Sequence, residues 1–265
     1  MEWQVMSEKD VLLSCEGVTR RFGGLVALDD LNLDVNQGDI MGLLGPNGSG
    51  KTTFFNVLTG IYDFSDGRAL LDGEDITRHS AQAVYRAGIA RTFQRSRMCL
   101  SLSLLDNILV GDHKRLNLGL GFNLFRRSAF ARDFEQNFEQ ARDLVKVFSP
   151  ALADCMFDAV SGFPMLDRRR IEICRALISQ PKLLLLDEPS AGMTHEETHQ
   201  LMDDILSVRE HTPELAIIII EHEMSVMERV TEHCTVLNFG KKICEGSYEE
   251  IVHNPQVREA YLGIE

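Results

Sequence analysis

Residues Gly45 to Thr52 read GPNGSGKT and fit G-x-x-x-x-G-K-[ST] completely. Glycines at these places let the backbone bend until its N–H groups surround phosphate oxygens. Lys51 would neutralise charge on the β- and γ-phosphates, and the Thr52 hydroxyl can ligate Mg²⁺. A helix after the loop would point its positive end at the phosphates. The candidate nucleotide contacts are therefore Gly45, Pro46, Asn47, Gly48, Ser49, Gly50, Lys51, Thr52 and Thr53. A second group of chemical residues closes the run KLLLLDEP. Asp187 would hold Mg²⁺ through water, and Glu188 would polarise an attacking water. Phosphoryl transfer needs mainly positioning and charge stabilisation, so these few groups suffice.

Strands and helices must place these groups. IMGLLG, just before the loop, is a short apolar run that suits a buried parallel strand. A helix is expected from about Lys51 to Leu58, with Gly60 as its stop. KLLLLDEP and LAIIIIEHE read as two more buried strands, each ending abruptly in charge. Open α/β sheets place ligands at that edge. HEETHQLMDDILSVRE between them has a helical pattern, so strand and helix alternate as in an α/β core. ALDDLNLDVNQGD alternates like a strand and breaks at Gly38. From about Gln94 to Ser179 only helices and loops are expected, including a helix in SAFARDFEQNFEQARDLVKVF. NPQVREAYLGIE reads as a terminal helix starting after Pro255.

Composition narrows the partners. The chain has 265 residues, enough for one large core or a core plus a subdomain. Its formal net charge of -13 argues against global attraction to nucleic acid. Local basic clusters stand at Arg126-Arg127 and Arg168 to Arg170. No apolar run approaches the roughly 20 residues that span a bilayer. MEWQVMSEKD is acidic and polar, unlike a signal peptide. The six cysteines form no CxxC pair, so they suit a reducing cytosol and give a metal site little support.

The order of these motifs resembles the ATPase subunits of ABC transporters. That resemblance runs from about Leu12 to the end. It implies that Gln94 in RTFQ senses Mg²⁺ and the attacking water, that His222 in IIIIEHE contacts the γ-phosphate, and that Phe22 in RRFGGLVAL stacks on adenine. The metal set would be Thr52, Gln94 and Asp187, and the catalytic set Glu188, His222, Gln94 and Lys51. The implied fold is α/β: a P-loop NTPase (RecA-like) core with a parallel sheet and antiparallel N-terminal strands, plus a helical insert. The core would take residues 1–93 and 179–265, and the helical subdomain 94–178. The segments RTFQRSRMCLSLSLLDNILVGDH, DEPSAGMTHEE and NPQVREAYLG are most similar to subunits driving uptake of branched-chain amino acids, urea or amides. AGMTHEE leans towards the urea type. The implied cofactors are ATP and Mg²⁺. The implied place is the cytoplasmic face of the membrane, bound to two permease subunits and served by an extracytoplasmic solute binder. A permease coupling helix would sit beside the Gln94 region. The apolar segment LNLGLGFNLFRRSAF suits either such an interface or a buried hairpin.

One stretch departs from the family. A serine and two glycines should precede the RRRIEICRAL helix, and together they contact ATP on the opposite subunit. Ungapped alignment puts Pro164, Met165 and Leu166 there. Proline offers neither hydroxyl nor N–H, yet it suits the first turn of a helix. Bulky side chains would block close backbone approach, and Asp167 would repel phosphate. A gapped alternative uses Ser161-Gly162. Thr194 replaces the aspartate or asparagine common at the dimer seam. The expectation is a heterodimer in which an intact partner signature completes this chain's phosphate loop, with a homodimer as the alternative. A competing reading is a regulatory or scaffolding subunit that binds ATP with little hydrolysis, which the presence of Glu188 and His222 argues against. A soluble ABC ATPase acting on ribosomes or DNA is disfavoured by the acidic charge.

Overall fold

Gly23 and Gly24 close a hairpin between β1 (Val11–Phe22) and β2 (Leu25–Asn36), and Gly23 takes φ 58°, where glycine meets no Cβ penalty. The computed structural model describes residues 11–94, 98–112 and 127–262. MEWQVMSEKD, Arg126 of the first basic pair and most of the LNLGLGFNLFRRSAF segment lie outside them. The chain divides into two compact units.

The first unit takes Met1–Ala87, Glu214–Ile220 and Thr231–Glu265. β1 pairs antiparallel with both β2 and β4 (Asp66–Leu71), and β4 pairs with the short β5 (Glu74–Asp75). Register shifts flank Val18, and Gly17 takes φ 62° there. Such a bulge interrupts the alternation that a sequence reading depends on. β3 (Ile40–Leu44) runs parallel to β8 (Ala216–Ile220) and β9 (His233–Asn238), and β10 (Lys241–Gly246) returns antiparallel to β9. Every residue of β3 and β8 is buried, as expected of parallel strands covered on both faces. Each isoleucine of β8 contributes roughly 1.5–3 kcal/mol of burial. The helix α1 (Lys51–Leu58) follows the glycine-rich loop, and Gly60 stops the chain at φ 67°. A Cβ on Gly60 would stand 2.7 Å from the His79 carbonyl oxygen, so that stop is fixed sterically as well. α2 (Ala81–Ala87), α9 (Tyr248–His253) and α10 (Pro255–Leu262) complete this unit, α10 starting at Pro255.

The second unit takes Gly88–Pro213 and Glu221–Val230. β6 (Ile89–Arg91) lies parallel to β7 (Leu183–Asp187). The helices are α3 (Leu104–Leu109), α4 (Arg127–Phe148), α5 (Pro150–Ala153), α6 (Met165–Leu177), α7 (His195–His211) and α8 (Met224–Val230). No strand occurs among the described residues of 94–178, and that stretch lies wholly within this unit. α4 buries Ala141, Val145 and Phe148 along one stripe at helical spacing. Thr194 caps α7 reciprocally with Glu197, each side chain accepting the other's backbone N–H.

Arg168 to Arg170 do not form a basic surface cluster. Arg169 is buried against Glu172 at 2.9 Å, and Arg170 bonds Asp167 at 3.0 Å and Asp204 at 2.8 Å. At helical spacing, a run of three arginines must place some of them on the inner face.

Candidate functional site

The phosphate loop belongs to the first unit. Gly45 takes φ 143°, and a Cβ there would stand 2.2 Å from the Leu237 carbonyl oxygen. Gly50, the residue before α1, takes φ 108°, and its Cβ would stand 2.8 Å from the Ala27 carbonyl oxygen. Both positions therefore demand glycine on steric and torsional grounds. Gly48 at φ 80° has open space, so only its torsion demands glycine. The β9–β10 turn holds the loop from behind. There the Gly240 N–H donates to the Ser49 carbonyl at 2.9 Å, and the Gly240 carbonyl accepts from the Asp29 N–H at 3.0 Å. The Gly45 N–H donates to the Tyr261 hydroxyl of α10 at 2.8 Å. Lys51 is buried, and its Nζ donates to the Gly45 and Pro46 carbonyls at 2.6 and 3.0 Å. Ser49 Oγ is buried with no hydrogen-bond partner. A buried hydroxyl without a partner in a glycine-built cradle fits a phosphate oxygen. Thr52 is exposed beside it, and Thr53 is half-buried.

Phe22 ends β1 and is 38% exposed. Its ring meets Tyr62 edge-on with centroids 5.2 Å apart, and the Arg20 guanidinium lies 4.6 Å from its centroid. One ring face is thus already shared with a cation, and Arg20 is itself held by the Asp63 carbonyl at 2.7 Å.

The second unit gathers Gln94, Asp187, Glu188 and His222. Glu188 follows β7 in a left-handed conformation, φ 48°, which is uncommon for a non-glycine residue. Its two carboxylate oxygens accept from two different side chains. Gln94 Nε2 reaches Oε2 at 2.5 Å, and His222 Nε2 reaches Oε1 at 2.9 Å. These three groups come from positions 94, 188 and 222, and they share one centre. Asp187 is buried, and its Oδ2 accepts from Arg91 at 2.5 Å. Glu221, just before His222, is buried too, and it accepts the Ser190 N–H at 2.7 Å. Burial pushes the Glu221 carboxyl above the usual range, against the pull of that hydrogen bond.

Pro164 is the residue before α6, at φ −66°, and offers no side-chain cap. Met165 is 45% exposed, whereas Leu166 is buried. Of these three residues, Pro164 and Met165 supply the bulk at the exposed surface. The Asp167 charge is held by Arg170 rather than standing bare, which corrects the expected repulsion. Ser161 and Gly162 lie in a short 3₁₀ turn, Val160–Gly162, ahead of the helix start. The Ser161 carbonyl accepts from Arg168 at 2.7 Å.

A family model described as ABC transporter matches residues 28–191. The chain belongs to the ABC transporter ATP-binding family. A second model, described as branched-chain amino acid ATP-binding cassette transporter, matches residues 241–265. The chain is 36% identical over 253 residues to the high-affinity branched-chain amino acid transport ATP-binding protein BraF of Pseudomonas aeruginosa, covering 95% of this chain and 98% of that protein. It is equally similar, 36% over 252 residues with 95% and 98% coverage, to LivG of Escherichia coli K12, whose name describes the same role. Among solved structures, a nucleotide-free ATP-binding cassette from an ABC transporter superposes with a TM-score of 0.82 at 28% identity, covering 96% of this chain and 100% of that one. An ADP-bound cassette of an ABC transporter gives 0.81 at 28% identity, with 96% and 99% coverage. The fold is that of an ABC ATPase cassette, a nucleotide-binding family whose ATPase activity is coupled to transport.

Within this ABC cassette, sequence reasoning missed three positioning groups. Arg91 holds Asp187. Arg169 donates to the Gln94 carbonyl at 3.2 Å, fixing the backbone that carries that amide. Glu221 ties the turn after β7 to the segment that carries His222. Glu221 had a local signal, an acid ending an apolar strand beside the chosen histidine. Arg91 and Arg169 had none, because Asp187 and Gln94 lie far from them in sequence.

Proposed function

We propose that this ABC ATPase hydrolyses ATP as the motor of an importer for branched-chain amino acids. The observation that carries the reading is the convergence of Gln94 and His222 on the two oxygens of Glu188. A carboxylate so held can aim one lone pair at a water and take its proton, while the amide and the imidazole fix its orientation. In this reading Lys51 neutralises the β- and γ-phosphates, the loop N–H groups cradle them, and Phe22 stacks on adenine. Thr52, Asp187 and Gln94 would hold Mg²⁺, which is suited to such hydroxyl, carboxylate and amide oxygens. When bound, the ion would neutralise charge developing between the β- and γ-oxygens. The names of the relatives support that solute class. Urea and amides are the second choice, favoured by AGMTHEE. Residues 1–93 and 179–265 serve as the ATPase core, and 94–178 as the helical part that meets a permease.

Partners complete the machine. Two permease subunits would receive the stroke at the cytoplasmic face, and a solute binder would act from outside. No helix among the described residues is long and apolar enough to cross a membrane, which fits peripheral attachment. Pro164 at the start of α6 favours a heterodimer, with a second ATPase supplying the serine–glycine signature to this chain's Lys51 site. The same proline supports a second reading, a regulatory subunit that closes on ATP and hydrolyses little.

Steady-state hydrolysis separates these readings. The purified chain is assayed alone and mixed with a candidate partner ATPase carrying an intact signature. Little activity alone and strong activity in the mixture supports the heterodimer. Substantial activity alone, rising with the square of protein concentration, supports a homodimer. Inactivity of the phosphate loop in every mixture favours the regulatory reading.

A further inference from the structure

α7 opens with two histidines one turn apart, His195 and His199, in the stretch HEETH. Residues four apart share a helix face. Their rings meet edge-on with centroids 4.2 Å apart, and the two Nε2 atoms are 2.9 Å apart. Glu223, from the segment after β8, brings a carboxylate oxygen within 2.6 Å of His195 Nδ1. One donor atom from each of the three residues falls within 4.8 Å of the others.

The hydrogen-bond partners fix the tautomers. Arg229 faces His199 Nδ1 at 3.1 Å, and a guanidinium cannot accept. His199 Nδ1 is therefore a lone pair, and its Nε2–H donates to His195 Nε2. His195 in turn donates from Nδ1 to Glu223. This leaves His195 in the form of a metal-ligating imidazole, with its Nε2 lone pair inward and its Nδ1–H on a carboxylate. Arg229 is held independently by Asp203, and Ser225 donates to Glu223 at 2.9 Å.

The geometry points to a binding site for a divalent transition metal ion of the zinc type, formed by His195, His199 and Glu223. Two imidazole nitrogens, one of them backed by a carboxylate, suit zinc, whereas Mg²⁺ prefers oxygen alone. The metal takes both Nε2 atoms, with water completing the shell, while Glu223 stays on the Nδ1–H of His195 and holds that ring in place. The proton on His199 moves to Nδ1, and Arg229 releases that nitrogen while keeping Asp203. His195 is 69% exposed, so the ion enters directly from solvent. The bound ion clamps the start of α7 to the residue after His222. The inference is independent of the signature segment and of the transported solute.

The test uses the whole chain without nucleotide, in millimolar Mg²⁺, titrated with CoCl₂ and then ZnCl₂. One equivalent of Co²⁺ should bind with a visible ligand-field band, and Zn²⁺ should displace it. His195→Ala and His199→Ala should each weaken binding by roughly 100-fold, while His253→Ala changes nothing. In the unsubstituted chain, the imidazole ¹⁵N resonances of two histidines should shift on Zn²⁺. Absence of stoichiometric uptake overturns the site. So does uptake that survives in the His195→Ala/His199→Ala double variant, since the metal then lies on cysteines or elsewhere.

Discussion

Replacing Glu188 with glutamine removes one negative charge and keeps the shape. Its carbonyl oxygen can still accept from Gln94 Nε2, now 2.5 Å away. Its NH₂ must then face His222 Nε2, now 2.9 Å away, so the imidazole switches to the Nδ1–H tautomer. Two charge-assisted bonds, each contributing about 1.5–3 kcal/mol, become neutral ones of about 0.5–1.5 kcal/mol. The stability loss should therefore stay near 1–3 kcal/mol, and the chain remains folded. Hydrolysis loses its base, which should cost about 10²–10⁴-fold in kcat. Nucleotide binding, proposed to rest on the glycine-rich loop, should change by less than about threefold, a small fraction of the free energy of binding. The assay pairs single-turnover hydrolysis in the assembled ATPase with equilibrium binding of a fluorescent ATP analogue. A kcat drop below about tenfold would refute Glu188 as the base. A large loss of binding with the rate intact would refute the separation of roles between the units.

Arg91→Met should cost about 3–5 kcal/mol in chemical denaturation, because Arg91 and Asp187 are only 5% and 3% exposed and the acid is left unpaired. The Arg91→Met/Asp187→Asn double variant should recover most of that loss, and a single-variant cost under about 1 kcal/mol would show the pair to be dispensable. Pro164→Ser/Met165→Gly should raise hydrolysis in the assembled pair by at least about tenfold. Leu166 is kept in that variant because emptying its buried place would cost about 2–5 kcal/mol; unchanged turnover would move the signature elsewhere. Glu221 has its folded carboxyl raised above the ordinary 4.5, so any stability it lends is fully present below that pH and lost as pH rises through the folded value. Glu221→Gln should therefore gain Tm on the wild type as pH climbs from about 4 to about 8, and a constant gap across that range would contradict the burial argument.

The parts legible in sequence were those with local signals. The loop GPNGSGKT, the apolar runs of β3, β7 and β8, and the helix from Lys51 to Leu58 each announce themselves within a few residues. α10 did so through Pro255. β1 was less legible because its bulge at Gly17 breaks the period of two. The arginine run before β7 left its placement open, because charge in sequence says nothing of burial, and two of the three found carboxylates inside. Glu188 was chosen from the acidic end of KLLLLDEP, and Gln94 and His222 through resemblance; what sequence could not supply was their meeting at one carboxylate. Arg91 was invisible for a related reason: it meets Asp187 across 96 positions, and neither residue type alone predicts the other.

The bond between Gly45 and Tyr261 spans 216 positions. One backbone donor at the mouth of the nucleotide loop is thereby committed to a hydroxyl on the last helix. A fusion tag, a nick or a truncation at that helix is then no remote change. It frees an amide in the loop, alters the electrostatic lining a triphosphate would meet, and turns the tail into a handle on affinity.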